Sequence, residues 1–152
     1  MVEKQKSAGA IIYYLDEKNK PNFLLLQNTL RKTYWEFPKG KIEDNENIEK
    51  TVRREVEEET NLRDIKIIRG FKHFLKWFYQ FGGKTIFKEA VYLIAKIKPE
   101  DKFKVKISNE HEKFEWMNYE KAMKETNKAS NKEMLKKAYD FILEVEKQKS
   151  LF

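Results

Sequence analysis

The chain has 152 residues, 40% hydrophobic and 38% charged, with 32 Lys+Arg against 25 Asp+Glu for a formal charge of +7. That length suits one domain spanning 1–152 with a core of its own, and 21 aromatic residues argue against disorder. The absence of cysteine excludes a disulfide scaffold, a thiolate metal site and a cysteine nucleophile, while two histidines, His73 and His111, are too few for a multi-histidine zinc site.

The opening Met1–Gly9 stretch has no apolar core of the secretory kind and no run approaches the ~18–20 apolar residues of a membrane span, so a cytoplasmic protein without a membrane partner is expected. Ala10–Leu15 and Phe23–Gln27 are apolar runs separated by the turn-prone Asp16–Pro21, which predicts a hairpin. Asn28–Lys41 reads as irregular. Asn45 or Asn47 can cap a helix that runs to about Thr60, where Asn61 can take a left-handed C-cap conformation. Ile65–Phe81 and Thr85–Ile97 read as two strands joined at Gly82-Gly83. Phe114–Met117 predicts a short strand and Tyr119–Thr126 a short helix. The last helix is expected to start at a capping box, Ser130 to Glu133, ahead of the stripe Met134, Leu135, Ala138, Phe141, Ile142 and Val145. Strands set between helices imply an α/β sandwich with a mixed sheet.

The helix over residues 48–59 has one anomaly. At about 100° per residue, Ile48, Val52 and Val56 form the buried stripe, and Glu55 and Glu59 lie within about 20–60° of Ile48 and Val52. They are four residues apart and stack on one face, where like charges repel and desolvation adds to the cost. A solvated acidic face is the ordinary explanation of Glu55-Val-Glu-Glu-Glu59, but the wheel puts two of its carboxylates on the wrong side for that. Oxygen ligands stacked one turn apart suit Mg²⁺ or Mn²⁺, with Glu58 at the flank as a further ligand or a base.

Gly40, five residues, Glu46, seven residues and then Arg54-Glu55-Val56-Glu57-Glu58-Glu59-Thr60-Asn61-Leu62 resembles the 23-residue box of the Nudix hydrolases. The one departure is Asn61 where the family has Gly, and Asn is the residue after Gly that best tolerates positive φ. The resemblance implies an α/β/α sandwich with the box as loop–helix–loop, and Mg²⁺-dependent cleavage of a diphosphate bond in a nucleoside diphosphate linked to another group. It also implies that Glu55 and Glu59 bind metal, that Glu58 is ligand or base, that Arg54 orients a glutamate, and that Gly40 lets the backbone close on the metal.

The flanks resemble the asymmetrical diadenosine tetraphosphate hydrolases in Phe23–Gln27, Trp35-Glu-Phe-Pro-Lys-Gly40, Gly70-Phe-Lys72, Tyr92, Ser108-Asn-Glu-His111, Trp116 and Lys132-Glu-Met134. By position, Lys39 would contact phosphate and Glu110 would add a metal-linked carboxylate, while Tyr34, Trp77, Tyr79 and Tyr92 are candidate nucleotide contacts. Tyr92 and Trp35 each also read as core, and His111 as structural or exposed. Tyr34 and Asn109 stand where the animal enzymes often carry His, Asn131 replaces an aromatic, and the Phe78–Lys88 loop is longer. The partner implied is a small nucleotide, with no obligate nucleic acid, for a monomer or homodimer. A nucleoside triphosphate or 5′-RNA pyrophosphohydrolase and a non-catalytic nucleotide or RNA binder are the alternatives. Residues 46–59 hold six Glu against three cations, whereas 63–106 hold twelve Lys/Arg against four acids, so the basic surplus follows the acidic helix. That placement is what a polyphosphate substrate would ask for.

Overall fold

A computed structural model describes residues 2–151. Eight strands, β1 (Val2–Leu15), β2 (Pro21–Asn28), β3 (Trp35–Glu36), β4 (Lys39–Lys41), β5 (Lys66–Ile67), β6 (His73–Phe81), β7 (Lys84–Lys96) and β8 (His111–Asn118), form one mixed sheet. The helices are α1 (Ile48–Thr60), α2 (Tyr119–Glu125) and α3 (Ala129–Ser150). β1 runs parallel to β7 from Val2–Thr85 to Tyr13–Lys96 and antiparallel to β2 and β4.

Strand side chains alternate faces, and the buried residues of β1, β2 and β7 sort accordingly into two cores. Ala8, Ala10, Ile12, Leu24, Leu26, Val91 and Leu93 pack with Val52 and Val56 of α1. Ile11, Tyr13, Phe23, Leu25, Tyr92 and Ile94 pack with Met134, Leu135, Ala138 and Ile142 of α3. The sheet therefore lies between α1 and α3, an α/β/α sandwich as expected.

Several boundaries differ from expectation. β1 begins eight residues before Ala10, because parallel pairing with β7 recruits the polar stretch Val2–Gly9 through its backbone. The Asn28–Lys41 stretch is not wholly irregular, since it contains β3 and β4. The Ile65–Phe81 strand is two strands interrupted at Ile68–Lys72, where Gly70 takes φ +99° against the Phe141 ring. A 3₁₀ turn over Pro99–Lys104 had no expectation attached to it. The Ser130–Glu133 capping box does not form: α3 starts at Ala129 after Lys128, which has φ +67°, and no side chain caps it. α2 sets that start, because Thr126 is held by Ala122 and bridges to Trp35, leaving Asn127 and Lys128 to turn the chain.

Candidate active site

β1 and β2 pair at Tyr13–Leu15 with Pro21–Phe23. Further along each strand the partners change: Ser7–Gly9 pair with β4, and Leu26–Gln27 pair with β3. The Trp35–Lys41 segment is thus inserted between two diverging strands, and Pro38 closes the insertion by accepting from the Ala10 amide at 3.0 Å. Gly9 permits this, since a Cβ there would overlap the Pro38 carbonyl and come within 2.6 Å of Lys39 Cβ.

α1 crosses beneath β4 and contacts its three residues in turn. The Lys39 amide donates to Glu59 Oε2 at 2.9 Å. Gly40 lies against the Glu55 carboxylate, which a Cβ would overlap. The Lys41 carbonyl accepts from Arg54 Nη2 at 2.8 Å. The helix itself is capped as expected, with Asn47 Oδ1 accepting from the Lys50 amide and Asn61 at φ +67° donating its amide to Glu57. Asn45, the other candidate cap, instead turns the loop ahead of the helix at φ +70°.

Arg54 organises the carboxylates. Its Nε and Nη2 grip the two oxygens of Glu46 at 2.7 and 2.9 Å, and Nη1 reaches Glu55 at 2.7 Å and Glu58 at 3.3 Å. The hydrogen bonds from Arg54, then the Glu43 amide and the Thr51 hydroxyl, hold the Glu46 carboxyl down to about 2. Glu46 is thus the fixed anion that aims the guanidinium, and the guanidinium aims Glu55.

The wheel reading of α1 is visible in exposure: Glu59 is 4% exposed, whereas the Glu58 side chain is 57% exposed. Burial, and then the Glu55 and Glu110 carboxylates, push the Glu59 carboxyl up to about 9 against the pull of the Lys39 amide. Burial also raises Glu55, although Arg54 opposes it. Glu110 arrives from the loop before β8, which is pinned where its carbonyl accepts from the Thr29 hydroxyl at 2.6 Å.

Two adjoining clefts result. One, of about 420 Å³, is lined by Lys39, Gly40, Lys41, Glu55, Glu58, Glu59 and Glu110. The other, of about 470 Å³, continues past Lys39, Glu59 and Glu110 to Asn28, Glu36, Phe37 and His111. The structure therefore brings together Lys39, Gly40, Glu55, Glu58, Glu59 and Glu110, with Arg54 behind them. It does not bring the aromatics to these walls. Trp77 packs against the α3-side core, and Tyr79 lines a separate groove with Phe81 and Ile86. Tyr34 lies between Arg31 and Lys128, at 5.2 and 5.9 Å from its ring.

Of the two readings of Tyr92, nucleotide contact or core, its position is that of a core residue. It points to the α3-side core, is 5% exposed and meets Phe37 edge-on. Its phenol is raised by burial and by the nearby Glu36 and Glu59, so it underlies the site. Trp35 is likewise core. His111, expected to be structural or exposed, is buried against Glu36 at 3.0 Å. Glu36, Lys41 and His111 were missed as site residues; Glu36 stood inside the Trp35–Gly40 motif but carried no role.

The cations also distribute differently from the sequence tally. Lys39 and Lys41, which line the first cleft, precede α1. From the 63–106 group, Lys88 comes near Lys39: burial and then that neighbour lower its pKa. Lys104 and Lys106 line a different groove with Asn61 and Arg63.

A divalent cation fits these donors. A buried carboxylate raised by two others is a site short of positive charge, and Gly40 gives the Glu55 carboxylate the space a Cβ would take. Among the described residues, no helix is long and apolar enough to cross a membrane.

A NUDIX domain model matches residues 4–138. The chain is 31% identical over 138 residues to the asymmetrical bis(5′-nucleosyl)-tetraphosphatase of Caenorhabditis elegans, covering 90% of this chain and 96% of that protein. It is 30% identical over 122 residues to the mouse protein of the same name, covering 79% and 80%. A crystal structure of a C. elegans Ap4A hydrolase binary complex superposes with a TM-score of 0.78, covering 91% of this chain and 98% of that one at 31% identity.

Proposed function

This chain belongs to the Nudix family, and from that premise we propose that it hydrolyses dinucleoside polyphosphates, above all diadenosine tetraphosphate to ATP and AMP. The observation that carries the reading is the convergence of Glu55, Glu58, Glu59 and Glu110 on clefts walled by Lys39 and Lys41. Two relatives named as asymmetrical bis(5′-nucleosyl)-tetraphosphatases, covered over 80% and 96% of their length, support its choice.

The substrate is an anion approaching an acidic cluster. Lys39 and Lys41 offset the phosphate charge, and Lys88 adds to the field near Lys39. A bound Mg²⁺, or Mn²⁺ in its place, supplies neutralisation of the phosphoryl oxygens and a more acidic water. Glu55 and Glu59, with Glu110, hold that cation; Arg54 and Gly40 hold Glu55. Glu58 accepts the proton of the attacking water, because it is more exposed than Glu55 and Glu59 on α1 and its bonds to Arg54, at 3.3 and 3.4 Å, are long. Water adds to phosphorus, a P–O–P bond breaks, and ATP and AMP leave. Tyr34, Trp77 and Tyr79 lie off the cleft walls and are assigned the nucleotide ends of a substrate that extends beyond the cleft, while Tyr92 supports Phe37 and the cleft floor from the core.

The test is product analysis after incubation with Mg²⁺ and a panel of diadenosine tetraphosphate, nucleoside triphosphates and 5′-triphosphate RNA. ATP plus AMP as the fastest reaction is expected; faster release of inorganic pyrophosphate from the others would make the chain a triphosphate or RNA pyrophosphohydrolase. Glu59→Gln should remove nearly all turnover with the fold retained.

A further inference from the structure

His111 opens β8, is 8% exposed and lines the cleft with Glu36, Lys39, Glu59 and Glu110. Its Nε2 lies 3.0 Å from Glu36 Oε1. The Asn28 side-chain amide donates to the same Glu36 oxygen at 3.0 Å, so Glu36 is held in place beside the ring. A carboxylate accepts, so Nε2 is the donor to Glu36, and in the neutral imidazole the lone pair is then on Nδ1. Nδ1 is buried with no hydrogen-bond partner. Orphaned buried polar atoms are rare because each gives up its hydration with no hydrogen bond in return. This one belongs to a ring that has a nitrogen within 4.8 Å of a carboxylate oxygen from both Glu59 and Glu110.

We propose that Glu59, Glu110 and His111 Nδ1 form a three-ligand site for a divalent transition ion, with Glu36 orienting the imidazole. The proposal rests on reading Glu59 and Glu110 as cation ligands and adds a nitrogen donor that the box carboxylates lack. A ring nitrogen whose partner nitrogen donates to a carboxylate is the usual arrangement of a metal-binding histidine. The donor chemistry divides the cleft. The carboxylates alone offer oxygen, which suits Mg²⁺ or Mn²⁺, whereas an added imidazole shifts preference towards Co²⁺ or Zn²⁺. Glu36 is a positioning residue here, fixing both the tautomer and the ring plane.

Pulsed EPR of the untagged full chain loaded with Mn²⁺ reads nitrogen coordination directly, and two histidines make the assignment a choice of two. Imidazole nitrogen coupling is expected in the wild type and in His73→Ala, and its loss in His111→Asn. Calorimetry should show Co²⁺ affinity falling about tenfold or more in His111→Asn and in Glu36→Gln, with Mg²⁺ affinity changed less than twofold. Glu110 is exposed, so Glu110→Gln keeps its fold and should weaken Co²⁺ similarly. Absence of nitrogen coupling in the wild type, its persistence in His111→Asn, or equal losses for Co²⁺ and Mg²⁺ in His111→Asn would overturn the site. Turnover of diadenosine tetraphosphate without nitrogen coupling would remove this site and leave the proposed function standing. Nitrogen coupling without turnover would do the reverse.

Discussion

Gly40 and Glu55 are in contact across the β4–α1 interface, and a Cβ on Gly40 would occupy the space of the Glu55 carboxylate. What it would meet is the end of a flexible side chain, so Gly40→Ala should move the carboxylate and leave the backbone in place. A misplacement on the order of 1 Å can cost about 10²-fold in rate. We therefore expect Gly40→Ala to lose about two orders of magnitude in kcat/KM while its melting temperature stays within a few degrees. Steady-state kinetics beside thermal denaturation separates the two effects. Wild-type turnover in a folded Gly40→Ala chain would mean that Glu55 is not needed where it lies.

Arg54 holds Glu46 with two hydrogen bonds while its remaining nitrogen serves Glu55 and Glu58. Lysine keeps the charge but not the planar fork, so it cannot make these contacts together. Arg54→Lys should lower metal affinity or kcat by about 10–100-fold, the usual cost of losing a group that orients a ligand. A Mg²⁺ titration of activity will show which. If Arg54→Lys matched the wild type in both, the guanidinium would be serving as a charge alone.

The Glu59 carboxyl rises on folding from 4.5 to about 9. Between those values the folded chain binds a proton that the unfolded chain does not. That stabilisation is present below pH 4.5 and is lost as pH rises towards about 9, by up to about tenfold in the folding equilibrium per pH unit. A cation bound at Glu59 must displace the same proton, so Mg²⁺ affinity should rise over this window. Melting curves from pH 5 to 8.5 in chelator should fall more steeply for the wild type than for Glu59→Gln, and Mg²⁺ should flatten the wild-type slope. Calorimetry at pH 7 in two buffers of different ionisation enthalpy should count about one proton released per ion. Parallel slopes for the two proteins would place the Glu59 carboxyl in the ordinary range.

The α1 region was legible because its information is local. Asn47, the Ile48–Val52–Val56 stripe and Asn61 lie within fifteen residues, and the wheel alone turned Glu59 inward. The family spacing then named Gly40, Glu46 and Arg54, and the flanking motif reached Glu110. What was not legible depends on separation. His111 meets Glu36 across 75 residues, and nothing near either residue announces the other. The polar half of β1 is a strand only because β7 runs alongside it. Tyr92 was open between core and substrate because strand alternation fixes two faces without saying which carries the nucleotide. The charge tally erred for the same reason, since Lys39 and Lys41 come before α1 in sequence yet stand over it in space. Ser130–Glu133 had the right chemistry for a cap, but the Thr126 tether had already set where α3 begins.

Asn61 shows how a departure from the family pattern is absorbed. It ends α1 at φ +67°, its amide donates to Glu57 at 2.8 Å, and its Nδ2 donates to the Lys104 carbonyl at 3.1 Å. Left-handed backbone costs a residue with a Cβ about 1–2 kcal/mol, and the side-chain hydrogen bond offsets about 0.5–1.5 kcal/mol of it. Asn61→Gly removes both terms and should leave stability within about 1 kcal/mol of wild type, whereas Asn61→Ala keeps the backbone cost and loses the bond. Urea denaturation should therefore rank Ala below both Gly and Asn. Because Glu59 lies two residues before this cap, the Ala variant should also bind Mg²⁺ more weakly than the Gly variant. Equal stability of Ala and Gly would mean that the helix end is held by Leu62 in the α1-side core rather than by the conformation of residue 61.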